Sequence, residues 1–189
     1  KELKSIRTLT TAGVLMALAI VLRATSVQIT PEVRISFAYL AIAIIGMLFG
    51  PVVAGMAGFG TDFIGFLFNN TGYPYYFPLS LVAIMSGVIY GIFMYKKYSS
   101  KKKLLIFACI SRILVVLLCN ICLNSYLFYT GFVNKDFHFF SSEGWDSFIT
   151  WLLASQRITK NVIQLPIDLI LVCALLPMAY YLYNKVRKS

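Results

Sequence analysis

Charge is what this chain has least of. Only 13% of its 189 residues are charged, seven of them acidic, and His138 is its single histidine. Soluble domains carry roughly twice that charged fraction, so this composition does not build a water-facing globular surface. One histidine, with no second cysteine pair beside Cys119-Asn120-Ile121-Cys122, gives no metal-ligand set. The G-x-x-x-x-G-K-[ST], H-E-x-x-H and G-x-S-x-G patterns are all missing. Their absence leaves no P-loop ATPase, zincin or nucleophile-elbow hydrolase to argue for. No nucleophile–base pair stands in for them, and no filter sequence marks an ion channel.

What the chain does have is apolar residues in long blocks, 59% of the total, with a mean hydropathy of +0.79. Blocks of this length read as helices in a bilayer. The expected fold is all-α, a six-transmembrane-helix bundle in one integral membrane domain over residues 1–189. The spans fall at about Ser5–Ala24, Ser36–Phe49, Val52–Phe68, Leu79–Tyr95 and Leu104–Thr130, with a last one running to about Tyr183. The first apolar run ends at Arg23 without a small-residue cleavage site, so it is expected as a retained span rather than a signal peptide.

The net charge of +10 does not point to nucleic acid, because the cations cluster at helix ends. Lys1, Lys4 and Arg7 precede the first span, Lys96 to Lys103 fill one loop, and Lys185, Arg187 and Lys188 close the chain. With an even number of spans all three clusters fall on one side, which the positive-inside rule makes cytoplasmic. The four cysteines lie inside apolar segments, where cysteine behaves as a small apolar residue. A redox protein built on Cys119 and Cys122 is a third-ranked alternative.

Several polar residues are not explained by topology. At about 100° per residue, Arg157, Lys160, Asn161, Gln164 and Asp168 share one face of the last helix, otherwise Ile, Val, Leu and Pro. Such a stripe cannot face hydrocarbon. Asp62 stands near the middle of the glycine-rich third span, either touching a ligand or satisfied by a neighbouring helix. Asn120 and Asn124 lie one turn apart on the fifth span, and Arg112 on that span either snorkels to the inner interface or meets a partner. Together with Arg34 in the polar loop Thr25–Ile35, these residues describe a cavity open to the outside, cationic at its rim and acidic at its floor. That loop is a lid or a plain connection. The loop Asn69–Pro78 holds four aromatics that are either interfacial anchors or a stacking wall. Gly13 and Ala17, with Ala12 nearby, give the first span a smooth face for internal packing or for docking to another membrane protein.

Val33-Arg34-Ile35-Ser36-Phe37, Ile45-Gly46-Met47-Leu48-Phe49-Gly50-Pro51, Asp62-Phe63-Ile64-Gly65 and Arg157-Ile158-Thr159-Lys160-Asn161-Val162-Ile163-Gln164-Leu165-Pro166 resemble the substrate-binding S components of energy-coupling factor (ECF) vitamin transporters. The resemblance covers essentially the whole chain. Leu48-Phe49-Gly50-Pro51 marks the class alone, whereas Arg157-x-x-Lys160-Asn161 is similar to the folate-specific branch. The resemblance implies a six-helix vitamin-binding protein of the cell membrane with no resident cofactor, folate being bound as substrate. It implies a transmembrane coupling protein and two ABC-type ATPases as partners, and a loaded subunit that topples in the membrane. The family's docking motif is Ala-x-x-x-Ala; Gly13-x-x-x-Ala17 departs from it.

Set against the chemistry of folate, Asp62 (or Asp168) would meet the pterin edge, aided by Asn161 and Gln164. Phe37, Tyr75, Tyr76 and Trp145 are candidates for stacking, and Arg157, Lys160 and Arg34 for the anionic glutamate tail. Riboflavin is neutral and thiamine cationic, so the cation cluster favours an anionic vitamin. A riboflavin or pantothenate subunit, or a scaffold with no small ligand, are the competing expectations.

Overall fold

The computed structural model describes residues 6–30, 33–68, 74–96, 101–134 and 142–188. Helix α1 (Ile6–Ala24) leads into a short antiparallel ribbon, β1 (Val27–Thr30) and β2 (Val33–Ile35), paired Val27 to Ile35 and Gln28 to Arg34. Then come α2 (Ala38–Phe49), α3 (Pro51–Phe68), α4 (Phe77–Met94) and α5 (Lys101–Leu114). α5 continues as a π-helical stretch (Val115–Asn124), a turn of α-helix, α6 (Ser125–Phe128), and a second π-helical stretch (Tyr129–Val133). Helices α7 (Ser142–Ala154) and α8 (Arg157–Lys188) follow.

Helices therefore carry the fold, and two features depart from the sequence reading. The polar loop after the first helix holds a ribbon, since Val27, Ile29, Val33 and Ile35 suit extended backbone. The long segment after the fifth helix holds α7, whose tryptophans and Phe148 pack on neighbouring rings.

Among the described residues, Pro51–Phe68, Phe77–Met94, Lys102–Val133 and Arg157–Leu182 are long and apolar enough to cross a membrane; Leu9–Ala24 and Ala38–Phe49 are shorter apolar helices. The shortness of α2 has a packing reason. Ten of its twelve residues are buried, with Ala41, Ala43, Ile45 and Met47 at the centre of the core. A helix apolar all round and enclosed by its neighbours is an interior element. Around it, Ala54, Tyr90, Met94, Ala108, Val172 and Leu176 complete the core from α3, α4, α5 and α8.

Glycine sets how closely these helices approach. Gly50, at φ +91°, makes the turn that lets Pro51 open α3. A Cβ at Gly87 would collide with the Ala54 carbonyl, where α4 lies directly on α3. On α1 the small residues divide: Ala12 and Ala19 pack toward the core, whereas Gly13 and Ala17 are exposed, with nothing within 4 Å of a Cβ at Gly13. Gly87→Ala is expected to lower stability by about 1–3 kcal/mol through overpacking, while Gly13→Ala leaves it unchanged or slightly raised. Thermal unfolding of the two purified variants checks this; equal melting temperatures would contradict the close α3–α4 contact.

Candidate functional site

The polar stripe of α8 faces inward. Arg157, Asn161, Gln164 and Asp168 are buried, while Val162, Ile163, Ile167 and Ile170 on the opposite side are 50–69% exposed. Burying the polar side and exposing the apolar one suits a helix whose outside meets lipid. Gln156, at φ +56°, ends the link from α7 and accepts a hydrogen bond from the Lys160 N–H at 2.9 Å, so α8 starts with Arg157 at the protein interior.

A cavity of about 340 Å³ opens beside this stripe. Of the residues expected there, Asp62, Asn120, Asn124, Arg157, Lys160, Asn161 and Gln164 all line it. They come from α3, the first π-helical stretch and α8, so three separate elements converge. Phe37, Tyr75, Tyr76, Trp145 and Asp168 are not among its lining residues, and the side chain of Arg34 lies outside the described residues. Two cations that the sequence reading did not assign to the site line it as well, Arg23 and Arg112.

Arg23 closes α1 and reaches Asp62, its Nη1 lying 2.6 Å from Oδ1. The Ser80 hydroxyl donates to Asp62 Oδ2 at 2.5 Å and lies 2.5 Å from the Tyr75 hydroxyl. Each oxygen of Asp62 is thus engaged, in a residue only 8% exposed. In sequence, Arg23 reads as the end of an apolar run. The signal that could have found it is the carboxylate itself, because an acid inside a span requires a partner.

Asp168, 1% exposed, sits behind the cavity and holds Arg112. Arg112 donates to Asp168 Oδ2 through Nη2 and, at 3.2 Å, through Nε; its Nη1 donates to the Tyr90 hydroxyl at 2.9 Å. The guanidinium lies 3.6 Å from the centre of the Tyr39 ring, and Gln164 Nε2 donates to Asp168 Oδ1 at 3.3 Å. Arg112 therefore meets a partner, the second of its two sequence-level alternatives. Asp168 orients two lining side chains, Arg112 and Gln164.

At the other end of the stripe, Arg157 is held by aromatic faces. Its guanidinium lies 4.2 Å from the Phe128 ring centre and 5.2 Å from that of Trp151, a cation–π geometry. Those rings rest on others: Tyr76 on Phe132 and Phe132 on Phe128, Trp145 on Phe148 and Phe148 on Trp151, with centroids 5.1–6.3 Å apart. The Asn161 side-chain amide donates to the Arg157 carbonyl at 2.8 Å. Lys160 lines the cavity and is in no ion pair among the described residues. The cavity is thus faced by four cationic side chains, Arg23, Arg112, Arg157 and Lys160, and one carboxylate, Asp62. Breaking the buried pair by Asp168→Ala is expected to cost about 3–5 kcal/mol, because Arg112 is left buried without its counter-ion. The Asp168→Leu/Arg112→Met double variant is expected to recover most of that loss in thermal unfolding; no recovery would show that the pair is not the source of the cost.

Comparison with known proteins bears on what such a cavity serves. Residues 7–176 match the family model described as ECF transporter, substrate-specific component. The folate transporter FolT of Clostridium novyi is 40% identical over 92 residues, 48% of this chain and 52% of that protein. The chain thus spans about half the length of that relative in the match. FolT of Leuconostoc mesenteroides subsp. mesenteroides is 27% identical over 172 residues, 91% of this chain and 82% of that one. A crystal structure of FolT bound with folic acid superposes with a TM-score of 0.69 at 27% identity, covering 91% of this chain and 97% of the other. A match over nearly the full length of the bundle, with several apolar helices around a polar cavity, makes this an integral membrane protein of the ECF transporter substrate-specific component family.

Proposed function

We propose that this chain is the folate-binding subunit of an energy-coupling factor transporter, capturing folate in the cavity beside α8 and delivering it with an ATP-driven module. The observation that carries this reading is Lys160, a lining cation in no ion pair among the described residues, beside a second cation, Arg157, on the same helix. Folate ends in a glutamate with two carboxylates, and this pair offers it charge-assisted hydrogen bonds. Asp62 would accept from the pterin amine and amide, because each carboxylate oxygen keeps a lone pair beyond its bond to Arg23 or Ser80. Asp168 suits that task less, being nearly inaccessible and already spanned by Arg112 and Gln164. Asn120, Asn124, Asn161 and Gln164 supply further amides to the same cavity. Gln164 Oε1, buried and without a hydrogen-bond partner among the described residues, is an acceptor suited to a pterin N–H.

The aromatic candidates take a supporting part in this reading. Tyr75 steadies Ser80 against Asp62, and the rings of Tyr76 and Trp145 back the rings on which Arg157 lies. Phe37 and Arg34 flank the cavity-lining Ser36 in sequence; Phe37 stays a proposed stacking partner and Arg34 a proposed partner of the glutamate tail.

The four long and two shorter apolar helices are read as six spans, with both termini cytoplasmic and the chain a single substrate-binding domain of the cell membrane. The exposed small face of Gly13 and Ala17 on α1 is the surface proposed to meet the coupling protein, since their smooth side permits close helix approach. Two ABC-type ATPases would complete the module; the chain itself carries no P-loop.

Titrating the purified protein with folate, riboflavin and pantothenate tests the assignment, with saturable binding expected for folate alone. Tight riboflavin or pantothenate binding without folate binding would overturn it. Lys160→Ala is expected to weaken folate by about tenfold or more and pteroate, which lacks the glutamate, much less. Equal losses for both ligands would remove Lys160 from the tail.

A further inference from the structure

The C-x-x-C run is not where the thiols meet. Cys119 is fully buried and Cys122 exposed, so the two point to different surroundings. Cys109 on α5 and Cys173 on α8 instead bring their sulfurs to 3.4 Å across the contact between those helices, although they are far apart in sequence. Both side chains are half-buried. They lie beyond the Arg112–Asp168 pair, Cys109 about one turn from Arg112 on α5 and Cys173 rather more than one from Asp168 on α8.

We infer that Cys109 and Cys173 form a site of reversible disulfide formation that ties together two helices that both contribute walls of the cavity. The sulfurs need to close by about 1.4 Å to reach a bonded separation of about 2.05 Å. A small neutral peroxide is the oxidant that suits thiols set among apolar side chains. One sulfur, as its thiolate, attacks a peroxide oxygen; the O–O bond breaks, hydroxide leaves and takes up the thiol's proton, and the sulfur becomes a sulfenic acid. The second sulfur displaces that oxygen, which departs as water with the second thiol's proton, and the S–S bond forms. Two thiols are oxidised by two electrons and the peroxide is reduced to two waters. Thiol–disulfide exchange with a small thiol reverses the step.

The bond would join α5, which continues into the helix bearing Asn120 and Asn124, to α8, which bears Arg157, Lys160, Asn161 and Gln164. With those walls held together, ligand leaves more slowly. The effect on folate release rests on the proposed function; the bond itself does not.

The test is to expose the full chain in detergent to hydrogen peroxide and count free thiols, map peptides, and follow unfolding and folate release. Its four free cysteines are expected to fall to two, with Cys109 linked to Cys173 within one chain. The link is expected to survive in the Cys119→Ser/Cys122→Ser variant, to vanish in Cys109→Ser and in Cys173→Ser, and to reverse with dithiothreitol. Linked, folate-free protein is expected to unfold at a higher temperature, and folate to leave it about fivefold more slowly or less readily still. Four persisting thiols, a Cys119–Cys122 bond or a link between chains would each overturn the site. A Cys109–Cys173 bond that changes neither unfolding nor release would overturn the tie between walls. Failure of the reduced protein to bind folate, with the bond and its unfolding shift present, would sink the folate reading and leave this site standing.

Discussion

An ionic group inside an apolar helical bundle must meet an opposite charge, a strong dipole or water, since an uncompensated one costs several kcal/mol. The interior carboxylates of this protein obey that constraint by drawing arginines across helix boundaries. Asp62 of α3 takes Arg23 of α1, and Asp168 of α8 takes Arg112 of α5. Around the Arg112 guanidinium four helices meet, because Tyr39 of α2 lies under its plane and Tyr90 of α4 accepts from its edge. One buried pair thereby fixes the relative placement of the elements that surround the cavity. Replacing it with apolar groups keeps the packing but removes the orientation of Gln164 that Asp168 supplies.

The helices that pack most closely also line the cavity, through Tyr39 of α2, Asp62 of α3 and Val82 of α4. Glycine at the α3–α4 crossing and a turn that only glycine adopts readily press α2, α3 and α4 together. The fifth helix departs from α-helical winding at Val115, where its π-helical stretch begins, and Asn120 and Asn124 enter the cavity from that stretch. Both amides therefore belong to a ten-residue stretch wound more loosely than an α-helix. Phe128 of α6 and Trp151 of α7 both face Arg157, so the first turn of α8 is braced by rings from two helices.

Much of this was legible in the residues. The inward stripe of α8 followed from charge and helical period, since Arg157, Asn161, Gln164 and Asp168 recur at three and four residues among apolar neighbours. Asp62, Asn120 and Asn124 stood out as polar groups that topology left unexplained, and the structure gathers them at one cavity. Partnership was not legible. Arg23 marks a span end in sequence and becomes a site residue only once α1 crosses α3. Asp168 reads as a floor residue, yet it reaches the cavity through Arg112 and Gln164, because depth along one helix says nothing about which neighbour stands in between. The aromatic residues could be recognised as a cluster but not assigned to a surface, since ring packing depends on tertiary distances that one-dimensional spacing does not carry. The ribbon and α7 were hidden in segments whose polar and aromatic composition also suits a loop.

The placement of Lys160 has a kinetic corollary. Lys160 and Arg157 occupy the first turn of α8, where unsatisfied backbone N–H groups add the positive end of the helix macrodipole. Low-dielectric walls concentrate field lines from such a group of charges into the opening. Under the proposed function such a field would draw anions from dilute solution faster than diffusion over a neutral mouth allows, and added salt would blunt that advantage. On that reading, the residues that would hold a captured anion therefore also shorten the search for it.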